Sequence, residues 1–308
     1  MAATSIIDKL LPDDILGKDL YHYTSADGLL GILGNKVIRC SHVFYLNDIE
    51  ENLNGWDFFF QVLDSYQHER ESSEQFKSAV QNLFSHHKKL DYEELSNQVF
   101  HNMHEKRVYS FIFSLSLIDD DLNQWRSYAE EPFGFSLRFN FDRTFWEQQP
   151  LFRNGQNSSI LLRQCVYDPK EKERKITQLL DHHFEEFSKG KNKWEDDLFF
   201  NALTLSLFFK NEKFVAEDEC RLVITTALEN SHTIEGAAVS LLNMRKGKSY
   251  LVPFVELMCQ PSCIKQITIG PSPFKNHSLS SLIMLRNSLR AELGHIDIKH
   301  SEVPYRSW

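Results

Sequence analysis

The period of the hydrophobic pattern changes repeatedly along this chain, and that limits the folds open to it more than any other feature. One set of segments is short, β-branched and aromatic: LYHYT (20–24), VIRCS (37–41), VYSFIFSLS (108–116), GFSLRF (134–139), LLRQCVY (161–167), ECRLVITT (219–226), SYLVPFVEL (249–257), CIKQITIG (263–270) and IDI (296–298). Such runs suit strands buried on one or both faces. Between them the spacing becomes helical. From Trp56 to about Met103 the apolar positions are Phe59, Val62, Leu63 and Tyr66, then Phe76, Val80, Leu83 and Phe84. From 171 to 210 they are Ile176, Leu179, Leu180, His183 and Phe184, then Trp194, Leu198 and Leu203. Charges fill the other faces, which predicts amphipathic helices.

Shorter helices have their own signals. Ser25 or Asp27 caps a helix through about Leu33, with Gly34 and Asn35 as its stop. LNQWRSYA (122–129) follows the acidic turn Asp119–Asp121, and Ser278–Leu293 precedes Gly294. Residues 150–160 read as loop. No repeat or Pro/Gly/Ser-rich linker divides the chain. The pattern predicts a single α+β domain over 1–308, with helical insertions at about 52–106 and 171–210. Where the apolar stripes of those insertions are buried is left open; they can cover the sheet, form a lid or support a homo-oligomer.

A hydrophobic content of 42%, with 12 Gly and 9 Pro, excludes a disordered or collagen-like chain. A net charge of −9 argues against broad phosphate-backbone binding, though not against a local basic face such as Arg245, Lys246 and Lys248. Five scattered cysteines and an N-terminus without a basic, then apolar, leader predict reduced thiols and a cytoplasmic location. The longest apolar run, Leu198–Phe209, is interrupted by Asn201, Thr204 and Ser206 and is too short to span a bilayer.

Four polar groups stand out. Tyr21-His22-Tyr23-Thr24 sits at a strand end before a helix, where an imidazole and free helix N–H groups can meet a ligand. Asn47, Asp48, Glu50 and Glu51 suit either a hard cation or, with better odds, a helix cap. Trp125 and Tyr128, three apart on a helix, make an aromatic platform or else divide between core and surface. Glu217, Glu219 and Arg221 recur at period two beside an apolar strand, so they share a face and form an ionic group able to hold a sugar hydroxyl. Metal signals are weak. Cys259 and Cys263 flank Pro261 without a second ligand pair; His86-His87, His182-His183 and His101 with His104 lie on helical stretches lacking HExxH. Neither a Walker A loop, GxGxxG nor GxSxG is present.

These blocks carry a resemblance. LYHYTSADGLLGIL, YLNDIEE, SFIFSLS, QWRSYA, GFSLRF, EDECRLVI, RKGKSYLVPF, ITIGP and VPYR, from about Leu20 to Arg306, together resemble a large bacterial family known as a domain of unknown function. More remotely, HYTSADGLLGILGNKVIRCS is similar to the first motif of ADP-ribosyltransferases. That likeness implies a mixed, mostly antiparallel split sheet and NAD as substrate, with no metal. It implies that His22 hydrogen-bonds the adenosine-side ribose, that Thr24 supports the nicotinamide end, and that Tyr128 or Tyr23 stacks on the ring. Glu219 then binds the nicotinamide-ribose hydroxyl, with Glu217 as the upstream member of a Glu-x-Glu pair. Ser114-Leu115-Ser116 is similar to that superfamily's Ser-Thr-Ser strand. The acceptor is a protein, a nucleic acid or water, and a toxin or anti-phage role is the biological expectation. Two other readings stay open: a Mg²⁺-dependent nucleic-acid enzyme using Asp48, Glu50, Glu217 and Glu219, and a non-catalytic binding module with Arg221 paired internally.

Overall fold

At its centre, Phe111–Phe113, the strand Val108–Ser116 is apolar on both faces, although Ser110, Ser114 and Ser116 share the parity of Ile112. Ile112 enters one core, while Phe111, Phe113 and Leu115 enter the other. Its partner Glu219–Ala227 does the same, with Val223 on the first side and Leu222 and Ile224 on the second. Strands covered on both faces lose the alternation of a half-exposed strand.

The computed structural model describes residues 5–12, 14–46, 49–66, 73–83, 108–129, 133–147, 149, 158–227, 232–234, 237–239, 242–247 and 249–304. In chain order these form α1 (Ile6–Leu10), β1 (Leu20–Thr24), α2 (Ala26–Asn35), β2 (Val37–His42), α3 (Ile49–Ser65), α4 (Ser73–Leu83), β3 (Val108–Ser116), α5 (Leu122–Tyr128), β4 (Phe135–Phe139), α6 (Arg143–Glu147), β5 (Ser158–Gln164), α7 (Pro169–Ser188), α8 (Trp194–Ser206), β6 (Glu219–Ala227), β7 (His232–Ile234), β8 (Ala237–Val239), β9 (Asn243–Lys246), β10 (Leu251–Met258), β11 (Ile264–Ile269), α9 (Lys275–Ser288), α10 (Arg290–Leu293) and β12 (Asp297–His300). The class is α+β.

The sheet is mixed and mostly antiparallel; β11 and β12 pair in parallel. Along one edge β3 pairs with β6 from Val108↔Ala227 to Ser116↔Glu219, and β5 extends the sheet beyond β6. The opposite edge of β3 is divided. β1 meets it at Tyr21↔Ser116, whereas β2 meets it at Ser41↔Ile112 and His42↔Phe111. β1 leads on to β4, β11 and β12, and β2 leads to β10 and β9. The sheet therefore splits beside Phe113, Ser114 and Leu115.

Helices cover both faces. The α1, α3, α4, α7 and α8 layer packs through Trp56, Phe76, Ile176, Phe184 and Phe208 against the Ile112–Val223 side. On the other side lie α2, α6, α9 and α10, through Leu29, Phe145, Leu282 and Leu293. The described parts of both insertions thus cover the sheet. Among the described residues no helix is long and apolar enough to cross a membrane, and all five cysteines are free and buried.

Several boundaries differ from the sequence reading. β5 begins at Ser158, inside the stretch read as loop. The helix expected over 278–293 starts at Lys275 and breaks at Leu289, whose φ of −114° and ψ of 38° leave the helical region. The strands β7, β8 and β9 carry no strong apolar period and were not expected. Arg245 and Lys246 lie exposed on β9, where charge protects a sheet edge. Outside the described residues fall Asn47, Asp48, His86, His87, His101, His104, Lys248, Tyr305 and Arg306, together with the side chains of Glu50 and Glu51.

Candidate active site in the sheet split

A cavity of about 520 Å³ opens where β1 and β2 diverge, lined by β1, α2, β2, the free edge of β3, and residues leading into β6. That volume lies within the range of small-molecule sites, roughly 300–1,000 Å³. His22, Thr24, Ser114, Tyr128, Glu217, Glu219 and Arg221 all line it, as does Tyr23. Residues almost two hundred positions apart thus meet because β3 pairs with β1 on one edge and β6 on the other.

Two glycine contacts hold the β1–α2 corner. Ser25 caps α2 by accepting a hydrogen bond from the Gly28 N–H. A Cβ on Gly28 would lie 2.0 Å from Thr24 Oγ1, and one on Gly134 would lie 2.2 Å from the Thr24 carbonyl oxygen. Thr24 is buried between them and shapes the corner.

His22 stacks on Phe113 with ring centroids 4.3 Å apart. Its Nδ1 lies 3.0 Å from the Ser114 carbonyl, an acceptor that the split leaves off the β-ladder. Burial lowers the imidazole pKa to about 4, opposed by that hydrogen bond. The ring is therefore neutral at pH 7. Since a carbonyl only accepts, Nδ1 carries the proton and Nε2 keeps a lone pair for a donor such as a ribose hydroxyl. Ser114 is exposed to the cavity.

The aromatic pair divides between core and cavity. Trp125 is 0% exposed, donates from Nε1 to Asp120 Oδ1 at 2.8 Å, and does not line the cavity. Tyr23 packs edge-on against it at 4.8 Å, donates its hydroxyl to the Ile118 carbonyl and accepts from the Asp121 N–H. Both rings brace the 118–121 turn; Trp125 stands away from the cavity, whereas Tyr23 lines it. Tyr128 is 42% exposed and donates to Glu217 Oε1 at 3.1 Å. Burial and the charge of Glu217 raise its phenol pKa.

Glu217, Glu219 and Arg221 do meet, but not by strand alternation alone. β6 starts at Glu219; Glu217 ends a 3₁₀ turn, and Asp218 adopts a left-handed φ of 43°. That turn swings Glu217 round so that both carboxylates face Lys210. Lys210 Nζ donates to Glu217 and, at 2.7 Å, to Glu219 Oε2. Arg221 donates to Glu219 through Nε and Nη2, each at 3.0 Å, and through Nη1 to the Leu207 carbonyl at 2.7 Å. Burial alone would raise the pKa of Glu219, but the charges of Arg221 and Lys210 outweigh it and hold the carboxyl at about 2. Two carboxylates and two cations leave this tetrad formally neutral. The Glu217 carbonyl accepts from Ser116 Oγ at 2.7 Å and Gln124 Nε2 at 3.2 Å, which fixes the turn.

Lys210 is buried and arrives from the second insertion. Its N–H donates to the Val166 carbonyl, and the Lys210 carbonyl accepts from Lys172 Nζ at 2.6 Å. Sequence reasoning missed it; the available signal is a lysine closing the apolar run LSLFF. Arg39 was missed as well. It lines the cavity from β2, half-exposed, paired with Glu256 at 3.1 Å and 5.1 Å from the Phe254 ring centre.

Residues 124–222 match the model of a family described as a protein of unknown function (DUF2971). That span runs from α5 into β6 and contains Tyr128, Lys210, Glu217, Glu219 and Arg221, but not His22. No curated protein and no solved structure matches the chain.

Proposed function

We propose that the chain is an ADP-ribosyltransferase-like enzyme that consumes NAD, either transferring ADP-ribose or hydrolysing the dinucleotide. The observation that carries the reading is the convergence of His22, Tyr128 and the Glu217–Glu219 pair on one cavity at a sheet split. In the hydrolytic form NAD⁺ and water give ADP-ribose, nicotinamide and a proton. The ribose–nitrogen bond breaks, the electron pair leaves with nicotinamide, and water oxygen bonds the same ribose carbon.

That carbon becomes electron-poor in the transition state. A carboxylate hydrogen-bonded to the neighbouring hydroxyl stabilises it without becoming a nucleophile. Glu217 is the better placed of the two for this contact. Its side chain is 19% exposed against 8% for Glu219, and it takes one hydrogen bond each from Tyr128 and Lys210, where Glu219 takes three from Arg221 and Lys210. Glu219 then keeps Lys210 in place and fixes the local field, and this exchanges the roles that the resemblance implies. The neutral imidazole of His22 accepts from the second ribose through Nε2. Tyr128 covers the nicotinamide, and Arg39 supplies a cation for the phosphates. Removing one such preorganised group costs about 2.7–4 kcal/mol in the barrier, or 10²–10³ in rate.

The test is nicotinamide release from NAD by the full chain, with and without candidate protein and nucleic-acid acceptors. Glu217→Gln should lower release by at least a hundredfold while leaving the fold intact. Absence of both release and NAD binding under every acceptor condition refutes the reading. A second reading, a non-catalytic NAD-binding module, draws on the saturation of Glu219 by its two cations. It is favoured if NAD binds without turnover.

A further inference from the structure

We propose that His182, His183 and Glu186 on α7 form a binding site for a borderline transition-metal ion, Zn²⁺ being the natural probe. The site lies in the helical layer and is independent of the cavity. One ligand atom from each residue can be chosen so that all three lie within 4.8 Å of one another. His183 Nδ1 is 3.2 Å from Glu186 Oε2, and His182 Nε2 is 3.5 Å from Glu186 Oε1. Ligands bonded to zinc at about 2.0–2.1 Å in a tetrahedron stand roughly 3.3 Å apart, so small side-chain rotations suffice.

The second observation is an unmet polar demand. His183 is fully buried, yet its Nδ1 and Glu186 Oε2 each lack a hydrogen-bond partner. Two buried polar atoms 3.2 Å apart that meet outside hydrogen-bond geometry are costly, and a cation between them, with Nδ1 deprotonated, satisfies both. The other ring nitrogen is held from behind: His183 Nε2 lies 3.1 Å from Asn201 Nδ2 on α8. With Nδ1 on a metal, Nε2 carries the proton, and the Asn201 amide turns over to present its oxygen, the usual outer support of a ligating histidine.

A cation already uses part of this site. Lys191 Nζ is 2.7 Å from Glu186 Oε1 and 3.2 Å from Asp197 Oδ2. Metal binding displaces Lys191 from Glu186 and leaves it on Asp197. Lys191 is thus a built-in competitor for the metal. His182 is partly exposed, giving the ion a way in and room for water as the fourth ligand.

Zn²⁺ is titrated by calorimetry into the full chain after chelator treatment, and Co²⁺ absorption reports the geometry. One equivalent should bind and raise the thermal midpoint. His182→Ala and Glu186→Gln should each weaken that binding at least tenfold, Lys191→Met should strengthen it, and Glu217→Gln in the cavity should leave it unchanged. His183 is left intact because its burial would confuse loss of ligand with loss of fold. Absence of a bound equivalent in the chelator-treated chain, or binding that survives both His182→Ala and Glu186→Gln, overturns the proposal. A six-coordinate Co²⁺ spectrum with no effect of Lys191→Met does so too.

Discussion

Replacing Lys210 with methionine tests how the cavity is held together. The substitution keeps the aliphatic stem and removes the ammonium between Glu217 and Glu219. Its backbone contacts to Val166 and Lys172 remain. Two carboxylates are then left with one guanidinium, and Glu219, only 6% exposed, cannot recover the loss from water. Breaking a buried pair from one side costs about 3–5 kcal/mol. Unfolding entropy of about 2.1 cal/mol/K per residue over a chain of 308 residues turns this into a fall of roughly 5–8 °C in Tm. Denaturant titration and a thermal scan give both numbers. Lys189→Met is the control, because its exposed pair with Glu185 contributes at most a few tenths of a kcal/mol. Adding Glu219→Gln to Lys210→Met should recover part of the loss, by about 0.5–3 kcal/mol. A Lys210→Met protein within about 1 kcal/mol of the parent, with no coupling to Glu219, would refute the reasoning.

Two further outcomes follow from the same geometry. Gly28→Ala should destabilise by about 1–3 kcal/mol, since its Cβ meets Thr24 Oγ1 at 2.0 Å. Gly31 has open space at its Cβ and lines the cavity, so Gly31→Ala should stabilise α2 by about 0.5–1 kcal/mol. Gly31→Trp should block NAD binding in a calorimetric titration without a fall in Tm. For pH, burial lowers the His42 pKa to about 4 from 6.5. The unfolded state binds the extra proton, so this contribution is full above pH 6.5 and is lost as pH falls towards 4. The loss amounts to about 3 kcal/mol. His22, also lowered to about 4, adds a similar loss, so unfolding free energies measured at pH 7, 6, 5 and 4 should fall by more than this, and His42→Phe should remove only its own share of the slope.

Where an element is buried on both faces, its ends are readable from residues alone. β3 and β6 follow their apolar runs because residues such as Phe111, Ile112, Leu222, Val223 and Ile224 pack into the two cores. Of the two caps open for α2, Ser25 takes the role, and the acidic turn read before LNQWRSYA ends in the cap Asp121; the side-chain oxygens of both compete locally for helix N–H groups. Glu219 and Arg221 share a face by period two, as expected. Glu217 reaches the same cluster by another route, since the left-handed turn at Asp218 depends on tertiary contacts that no local pattern encodes. Trp125 and Tyr128 sit about 60° apart on the helix, close enough to share a face yet far enough for the core boundary to pass between them. Lys210 and Arg39 were not legible. Periodicity gives the phase of each element but not how one element is set against another.

The tetrad joins two layers of the molecule. Glu219 and Arg221 belong to the central sheet, whereas Lys210 is carried on the segment that follows the covering helices. A slip between those layers would withdraw one positive charge and leave the hollow with a net charge of −1 where it is otherwise balanced. The helical covering is therefore part of the chemistry, and trimming it back to a minimal sheet would alter what the hollow attracts before it altered its shape.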